Sequence, residues 1–193
     1  MKYLGFFLTA TISLMLTAFA PLGGSTPLAP VEVQNATLQN PTMRVDPVES
    51  VVEVGETFTI TVMIDEASDL GAFQFDLLYI TTTVTVDGVA LGDFPGSTGR
   101  TVIPVVPIVD NQVGRARFGA WTLGSAPGPD GTGELAIVTL MTQGVGVSTL
   151  DLQEVQVLDT NARRQTPTVE DGIVVAGGTP GQEIYLPLVL KGW

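Results

Sequence analysis

The stretch ETFTITVMIDEASDLGAFQFDLLY, residues 56–79, decides the fold class of this chain. Both halves are apolar at every second position, and the polar break SDLG at residues 68–71 separates them. A period of two places one apolar face on a β-strand. We therefore expect two half-buried strands that pair with each other in antiparallel fashion, with later strands covering their shared apolar face. The apolar positions are Phe58, Ile60, Val62 and Ile64, then Phe73, Phe75, Leu77 and Tyr79.

The rest of the chain repeats this short-strand pattern between clusters of turn residues. In residues 134–142 the apolar residues are nearly continuous, which is typical of a central strand covered on both faces. Pro104 and Pro107 interrupt the apolar segment 101–109 and predict that it lies at a sheet edge, because proline lacks a ladder donor. Without a sustained helical period, the pattern predicts an all-β, antiparallel β-sandwich. Other strand-like segments are 43–45, 51–54, 82–91, 113–122, 149–152, 155–158 and 172–175.

Composition excludes several classes of function. The 193 residues carry 8 Lys+Arg against 20 Asp+Glu, a net charge of −12, which argues against binding to nucleic acid and to anionic membranes. The chain has no cysteine and no histidine, so disulfides, thiolate metal sites, histidine triads and histidine-bound zinc are ruled out. We predict no cofactor; calcium bound through oxygen ligands stays open, but no motif indicates it.

The two ends of the chain differ in composition from its centre. Residues 1–20 combine a lysine, an apolar run and a small-residue ending, which indicates a secretory signal peptide; an uncleaved anchor is the alternative. Residues 21–41 have the composition of a linker, residues 42–177 form the predicted domain, and residues 178–193 are a second linker with an apolar tail. That tail is either a closing strand or a surface-attachment segment. The mature chain is thus expected to be secreted, extracellular or attached to the cell surface, without a membrane span.

Asp65, Glu66 and Asp69 are the acidic cluster that comes closest to a catalytic or calcium-binding pattern. Two carboxylates facing one cleft would suit glycoside hydrolysis, and carboxylate oxygens suit calcium. These three lie in the predicted connection between the two strands, where acidic turn residues are common. We predict no catalytic constellation and no enzyme activity.

One strand carries an uncommon combination of side chains for so acidic a chain. In VGRARFGAWT, residues 113–122, the alternation places Arg115, Arg117 and Trp121 on one side, opposite the small and apolar residues. Arginine and tryptophan are enriched at binding hot spots. Two interpretations stay open: these residues contact a partner, or the arginines pair with neighbouring carboxylates while Trp121 closes one end of the sandwich.

The order and spacing of the strand motifs resemble the cohesin family over residues 43–176. The matching elements are MRVDP (43–47), EVGETFTITVMI (53–64), LGAFQFDLLY (70–79), RARFGAW (115–121), GTGELAIVTLMT (131–142) and VQVLDTNARRQTPTVEDGIVVAG (155–177). The resemblance implies a sandwich of jelly-roll topology with about nine strands, related to bacterial carbohydrate-binding modules. Cohesins bind dockerins, which are calcium-loaded helical modules of other secreted proteins.

The resemblance also implies where a partner would bind. The cohesin binding face is one sheet, made from the family's third, fifth, sixth and eighth strands. The implied partner-binding residues here are Gln74, Asp76, Leu78, Arg115, Arg117 and Trp121. Cellulosomal type I members of the family have Asn and Asp at two dockerin-contacting positions where this chain has Ala72 and Gln74, and Tyr79 is not followed by the family's usual Asp-Pro.

The sequence therefore predicts a secreted, non-catalytic module that docks a dockerin-like protein in extracellular polysaccharide degradation or surface assembly. Direct carbohydrate binding is the first alternative, with polysaccharide as the partner, although the chain shows no aromatic row for stacking on sugar rings. A structural cell-surface adhesion domain, held by the tail at residues 185–193, is the second.

Overall fold

The computed structural model describes residues 40–177, which form thirteen β-strands and one 3-10 turn at Phe94–Gly96. The predicted signal peptide, all of the predicted linker before residue 40, and the tail at 178–193 lie outside the described residues. No helix within residues 40–177 is long and apolar enough to cross a membrane. The strands are β1 (Thr42–Asp46), β2 (Glu49–Val52), β3 (Thr57–Ala67), β4 (Leu70–Leu78), β5 (Val84–Leu91), β6 (Thr101–Pro104), β7 (Ile108–Asp110), β8 (Arg115–Leu123), β9 (Gly131–Thr142), β10 (Gly146–Asp159), β11 (Arg164–Gln165), β12 (Thr168–Glu170) and β13 (Gly172–Ala176).

The strands form two sheets that confirm the predicted all-β sandwich of jelly-roll topology. The smaller sheet has the order β12-β1-β3-β9-β5, and the larger has the order β2-β13-β10-β4-β8-β6, with β11 beside β10 and β7 beside β8. The pairing is not wholly antiparallel, because β1 with β12 and β2 with β13 are parallel. The strand number exceeds the predicted nine because five of the strands are only two to four residues long.

The two strands of the deciding stretch do not pair with each other, so that prediction is wrong. β3 pairs with β1 and β9 in the smaller sheet, whereas β4 pairs with β10 and β8 in the larger one. The alternation itself is as predicted, with Ile60, Val62 and Ile64 buried on β3 and the second apolar set buried on β4. Two apolar faces exclude water equally well across a sandwich as side by side, so periodicity alone cannot distinguish the two arrangements.

Aromatic residues of the larger sheet form the centre of the core. Phe75 is fully buried, with its ring centroid 6.4 Å from that of Phe73 and 6.3 Å from that of Phe118. Tyr79 is buried as predicted, and its hydroxyl donates to Asn111 Oδ1 at 2.7 Å. This core joins residues of both sheets into one cluster and fixes β4 and β8 side by side.

Two predictions about strand position have different outcomes. β6 and β7 both lie beside the outer edge of β8, which confirms the edge position inferred from Pro104 and Pro107. β9 lies between β3 and β5 as an internal strand, but beyond Ala136 it is covered on one face only: Val138 and Leu140 are buried, while Ile137, Thr139 and Met141 stay partly exposed. Partial exposure of apolar side chains on the outer face of a sheet is common.

The acidic cluster is also placed differently from the prediction. Asp65 and Glu66 belong to the end of β3, and Asp65 accepts a hydrogen bond from Arg44 Nε at 2.7 Å. Asp69 lies in the connection and links three segments: its Oδ1 accepts from the Gly128 backbone N–H at 2.7 Å, and its Oδ2 accepts from the Thr160 hydroxyl at 2.6 Å. The cluster is thus part of the framework of the fold.

Candidate partner-binding face

The antiparallel register of β4 and β8 brings the six predicted site residues onto one outer face of the larger sheet. Asp76 lies opposite Arg117, Leu78 opposite Arg115, and Gln74 opposite Gly119. Trp121 lies opposite Ala72 at the far end of the same pair. Directly opposite residues of an antiparallel pair share a face, so the placement implied by the resemblance agrees with the structure.

A buried carboxylate organises the charged half of this face. Asp76 is only 2% exposed, and its Oδ1 accepts from Arg117 Nε at 2.6 Å. Its Oδ2 accepts from Arg117 Nη2 at 2.9 Å and also from Arg115 Nη2. Paired, bidentate contacts of this kind hold a guanidinium in a fixed orientation. Asp76 therefore positions the two arginines and offers little surface of its own to a partner.

Burial and the two arginines act in opposite directions on the acidity of Asp76. Burial disfavours the charged carboxylate, but hydrogen bonds and charges from Arg117 and Arg115 outweigh it, and the pKa of Asp76 lies below its ordinary value. The hydrogen bond to Asp76, aided by the charges of Asp76 and Glu154, raises the pKa of Arg117. Asp76 and Arg117 are therefore both ionised at neutral pH.

The structure shows the arginines paired with a carboxylate, as one interpretation predicted, whereas contact with a partner stays a prediction. They pair with a carboxylate, and they remain partly exposed, so each guanidinium has an edge that faces solvent. Arg115 and Arg117 also line a shallow depression with Ile108 and Asp110 of β7. Further acidic residues, Asp151 and Glu154 of β10, are close by, so the face as a whole is not a cationic patch.

The other half of the face is apolar. Trp121 is 43% exposed. On the side of β8 that pairs with β6, it lies opposite Ile103. Leu123, two residues further along β8, is exposed as well. Gly119 separates Trp121 from Arg117; a Cβ there would lie 2.6 Å from the Phe73 carbonyl oxygen, so the register admits no side chain at this point. The face therefore has a flat centre with an aromatic at one end and fixed guanidiniums at the other.

Sequence reasoning missed the apolar residues that border this face on the β6–β7 side. Ile108 of β7 lies opposite Arg117 and is exposed, and Val106 in the connection is 81% exposed. The signal was present, since residues 101–109 are apolar although prolines place them at an edge. An apolar segment with prolines, which place it at a sheet edge, is thus a sequence signal for exposed apolar residues.

The described residues contain no group of three or more acidic side chains arranged to hold a metal ion. The larger concavities are lined by none of the six predicted site residues. One of about 520 Å³ is lined by residues around the β10 bulge and β11, including Glu154 and Arg164. Another, of about 620 Å³, lies beside Asp69 and Arg100. Both are open, and neither adjoins Trp121.

Comparison with known proteins finds likeness in structure and none in sequence. No protein-family model matches this chain, and no curated protein matches it. A non-cellulosomal cohesin from the hyperthermophilic archaeon Archaeoglobus fulgidus superposes with a TM-score of 0.55 at 16% identity, over 71% of this chain and 91% of that one. At such identity the likeness shows the fold alone.

Two further solved structures are similar to the same extent. A type II cohesin domain from the cellulosome of Acetivibrio cellulolyticus gives a TM-score of 0.58 at 14% identity, over 70% of this chain and 95% of that one. The cohesin of a type I cohesin–dockerin complex from Clostridium thermocellum, Coh-OlpC–Doc435, gives 0.57 at 13% identity, over 71% and 93%.

Proposed function

We propose that this chain, which has the cohesin fold, is a non-catalytic module that binds a dockerin-like protein through the outer face of its larger sheet. The observation that carries the proposal is the combination on β4 and β8 of an exposed Trp121 with two guanidiniums fixed by the buried Asp76. Several of the similar solved structures are cohesins in complex with dockerins.

The geometry of the face suits a protein partner for physical reasons. Exposed tryptophan and arginine side chains are over-represented among residues that dominate binding energy. Because Asp76 already orders both guanidiniums, Arg115 and Arg117 lose less side-chain entropy when a partner binds than freely rotating arginines would. The exposed apolar residues Ile108, Val106 and Leu123 extend the apolar area beyond Trp121 toward the sheet edge.

The contacts of this module differ from those that the resemblance associates with cellulosomal cohesins. Ala72 and Gln74 occupy the two positions where type I cohesins carry Asn and Asp, and in this structure both lie on the outer face, opposite Trp121 and Gly119. The partner is therefore a dockerin-like module whose own surface is apolar opposite Ala72 and Trp121. Its setting, given the apolar and small-residue segment at 1–20, is outside the cell, in polysaccharide degradation or surface assembly.

The first experiment is capture of secreted proteins from the source organism on the immobilised full chain, with calcium and then with a chelator. A dockerin fold depends on bound calcium, so we expect a partner that the chain retains with calcium and releases with chelator. The captured protein is then expressed on its own, and its dissociation constant is measured with each variant. Absence of any calcium-dependent partner would contradict the proposal.

Two substitutions locate the binding face and one serves as their control. Trp121→Ala and Arg117→Glu are each expected to weaken binding at least tenfold, roughly the loss of a hot spot. Arg44→Glu makes the same change of charge in an arginine that pairs with Asp65 and Asp46 on the opposite sheet, and it should leave binding unchanged. Equal losses from Arg117→Glu and Arg44→Glu would place the binding surface elsewhere.

Direct carbohydrate binding is the second candidate, and exposed Trp121 is the observation in its favour, since a planar aromatic can stack on a sugar ring. Retention of the full chain on an insoluble polysaccharide, lost in Trp121→Ala, would support this candidate over the protein partner. No retention across a panel of polysaccharides would exclude it.

A further inference from the structure

Two adjacent arginines have side chains without a partner. In a chain with 20 Asp+Glu against 8 Lys+Arg, a guanidinium has many carboxylates available. Within residues 40–177, the exposed guanidiniums of Arg163 and Arg164 nevertheless make no ion pair and no hydrogen bond. The other arginines of this range all bond to carboxylates, a hydroxyl or backbone carbonyls; they are Arg44, Arg100, Arg115 and Arg117.

The backbone that carries these two side chains is fixed. The N–H of Arg163 donates to Asp159 Oδ1 at 2.8 Å, and its carbonyl accepts from the Asp159 N–H at 2.9 Å. Arg164 begins β11, which pairs with the end of β10. Gln165 Nε2 donates to the Ser68 carbonyl at 2.6 Å and so joins this hairpin to the connection between β3 and β4. Both guanidiniums therefore extend from an ordered support.

Both arginines line a groove of about 420 Å³ between the hairpin and that connection. Small-molecule sites are about 300–1,000 Å³ in volume. Ser68 and Thr166 also line the groove, and their hydroxyls have no partner within residues 40–177. Of the two carboxylates at the groove, Asp69 uses both oxygens within the fold, whereas Asp159 Oδ2 accepts no hydrogen bond from the described residues.

The lining groups define the chemistry of a ligand. The fork of a guanidinium matches a planar carboxylate through two parallel hydrogen bonds. The side chains of an acidic peptide present acceptors only, which Asp69 and Asp159 would repel. Sugar hydroxyls both donate and accept, so they can bond to a carboxylate oxygen and to protein hydroxyls at the same time. A sugar that carries a carboxylate meets all of these demands.

We propose that the groove beside Arg163 and Arg164 binds an acidic sugar, such as a uronate unit of an anionic polysaccharide. The guanidiniums hold the carboxylate, while ring hydroxyls bond to Asp159 Oδ2 and to the hydroxyls of Ser68 and Thr166. None of the six residues of the candidate partner-binding face lines this groove, and the inference does not rest on the proposed function.

Titration of the full chain with soluble oligosaccharides, followed by NMR, tests the site. Trimers of glucuronate and of galacturonate are the probes, and at least one is expected to shift the amide signals of Gln165 and Thr166 saturably while that of Phe75, in the core, stays unchanged. Trimers of glucose and of galactose have the same rings without carboxylates and should bind roughly tenfold more weakly or worse. The same weakening is expected for inorganic phosphate and for triglutamate, which carry charge without the sugar ring.

Equal binding of a neutral trimer, of phosphate or of triglutamate would overturn the proposal, because the groove would then not recognise an acidic sugar. Absence of a saturable shift with either uronate trimer would overturn it as well.

Substitutions locate the binding to the groove. Arg163→Gln and Arg164→Gln are each expected to weaken binding of the uronate trimer roughly tenfold, the loss of hydrogen bonds to a charged group. Arg44→Gln removes the same charge from an arginine that does not line the groove, and it should leave binding unchanged. Unchanged binding in both groove variants, or an equal loss in Arg44→Gln, would contradict the site. Loss of binding in Trp121→Ala would place the sugar on the β4–β8 face and would also overturn the proposal.

Discussion

Asp76 shows how single residues determine the chemistry of the candidate face. A carboxylate that is almost fully buried would ordinarily be neutral, yet two guanidiniums within hydrogen-bond distance keep it charged. The cost of removing its charge from water is offset by three hydrogen bonds, and the partly exposed arginines keep contact with solvent. Asp76, which is almost fully buried, thus fixes the orientation of the two more exposed arginines.

Replacing Asp76 by Asn removes the charge with little change of shape. An amide NH₂ would then face the guanidinium donors, so we expect the free energy of unfolding to fall by about 1–3 kcal/mol. Chemical denaturation of the two proteins at neutral pH measures this difference. A difference below about 0.5 kcal/mol, the range of neutral surface substitutions, would contradict the assignment.

The same pair of proteins has an expected pH dependence. The pKa of Asp76 in the folded protein lies below the ordinary 3.8 that applies to the unfolded chain. The ionised form is therefore favoured by folding, and its contribution to stability is full above pH 3.8 and is lost as the pH falls through the lower, folded value. Denaturation curves at several acidic pH values should show the stability advantage over Asp76→Asn shrinking in that range.

At the scale of elements, the connection between β3 and β4 decides the architecture. It leads the chain from one sheet to the other, with φ of 56° at Glu66 and 51° at Asp69. Asp69 holds the connection against the loop before β9, through Gly128, and against the end of β10, through Thr160. The short polar break therefore connects the two sheets, and the hydrogen bonds of Asp69 fix its position.

Substitutions at Asp69 should separate the hydrogen bonds from the backbone conformation. Asp69→Ala loses both bonds and places at positive φ a residue that tolerates this conformation less well than aspartate, so we expect a loss of about 1–2 kcal/mol in unfolding free energy. Asp69→Gly loses the bonds but tolerates the conformation, and Asp69→Asn keeps an acceptor; both should cost less. Thermal denaturation in which alanine and asparagine are equally destabilising would count against this role.

At the scale of the whole molecule, the two sheets are joined by one core rather than by their connections. Phe75 is fully buried among residues of both sheets, and the core spans from β1 to β13. The side chains on the inner face of β4 and β8 belong to this core, and those on the outer face do not. Stability of the face and stability of the sandwich are therefore coupled.

Phe75→Ala is expected to lower the free energy of unfolding by about 3–5 kcal/mol, because the ring leaves a cavity that neighbouring rings cannot fill. Val106→Ala, at a residue that is 81% exposed, is the control and should change it by less than about 0.5 kcal/mol. Chemical denaturation measures both. A small effect at Phe75 would mean that the aromatic cluster is not the centre of the core.

The sequence by itself determined the all-β class and the inner faces of the main strands. Alternation identified the buried residues of β3 and β4, the prolines identified the edge at β6 and β7, and the side shared by Arg115, Arg117 and Trp121 followed from a period of two. These inferences depend on local geometry, which a strand imposes on its own side chains regardless of its neighbours.

Only the tertiary structure decided which strands are neighbours and which charges meet. Alternation did not reveal that β3 and β4 lie in opposite sheets, because an apolar face is buried equally well beside another or across from it. Nor did it reveal that Asp76 is the buried partner of both arginines, since that depends on the register of β4 against β8. Pairing and register arise from contacts between residues far apart in the chain. Local sequence patterns do not show which distant segments become neighbours.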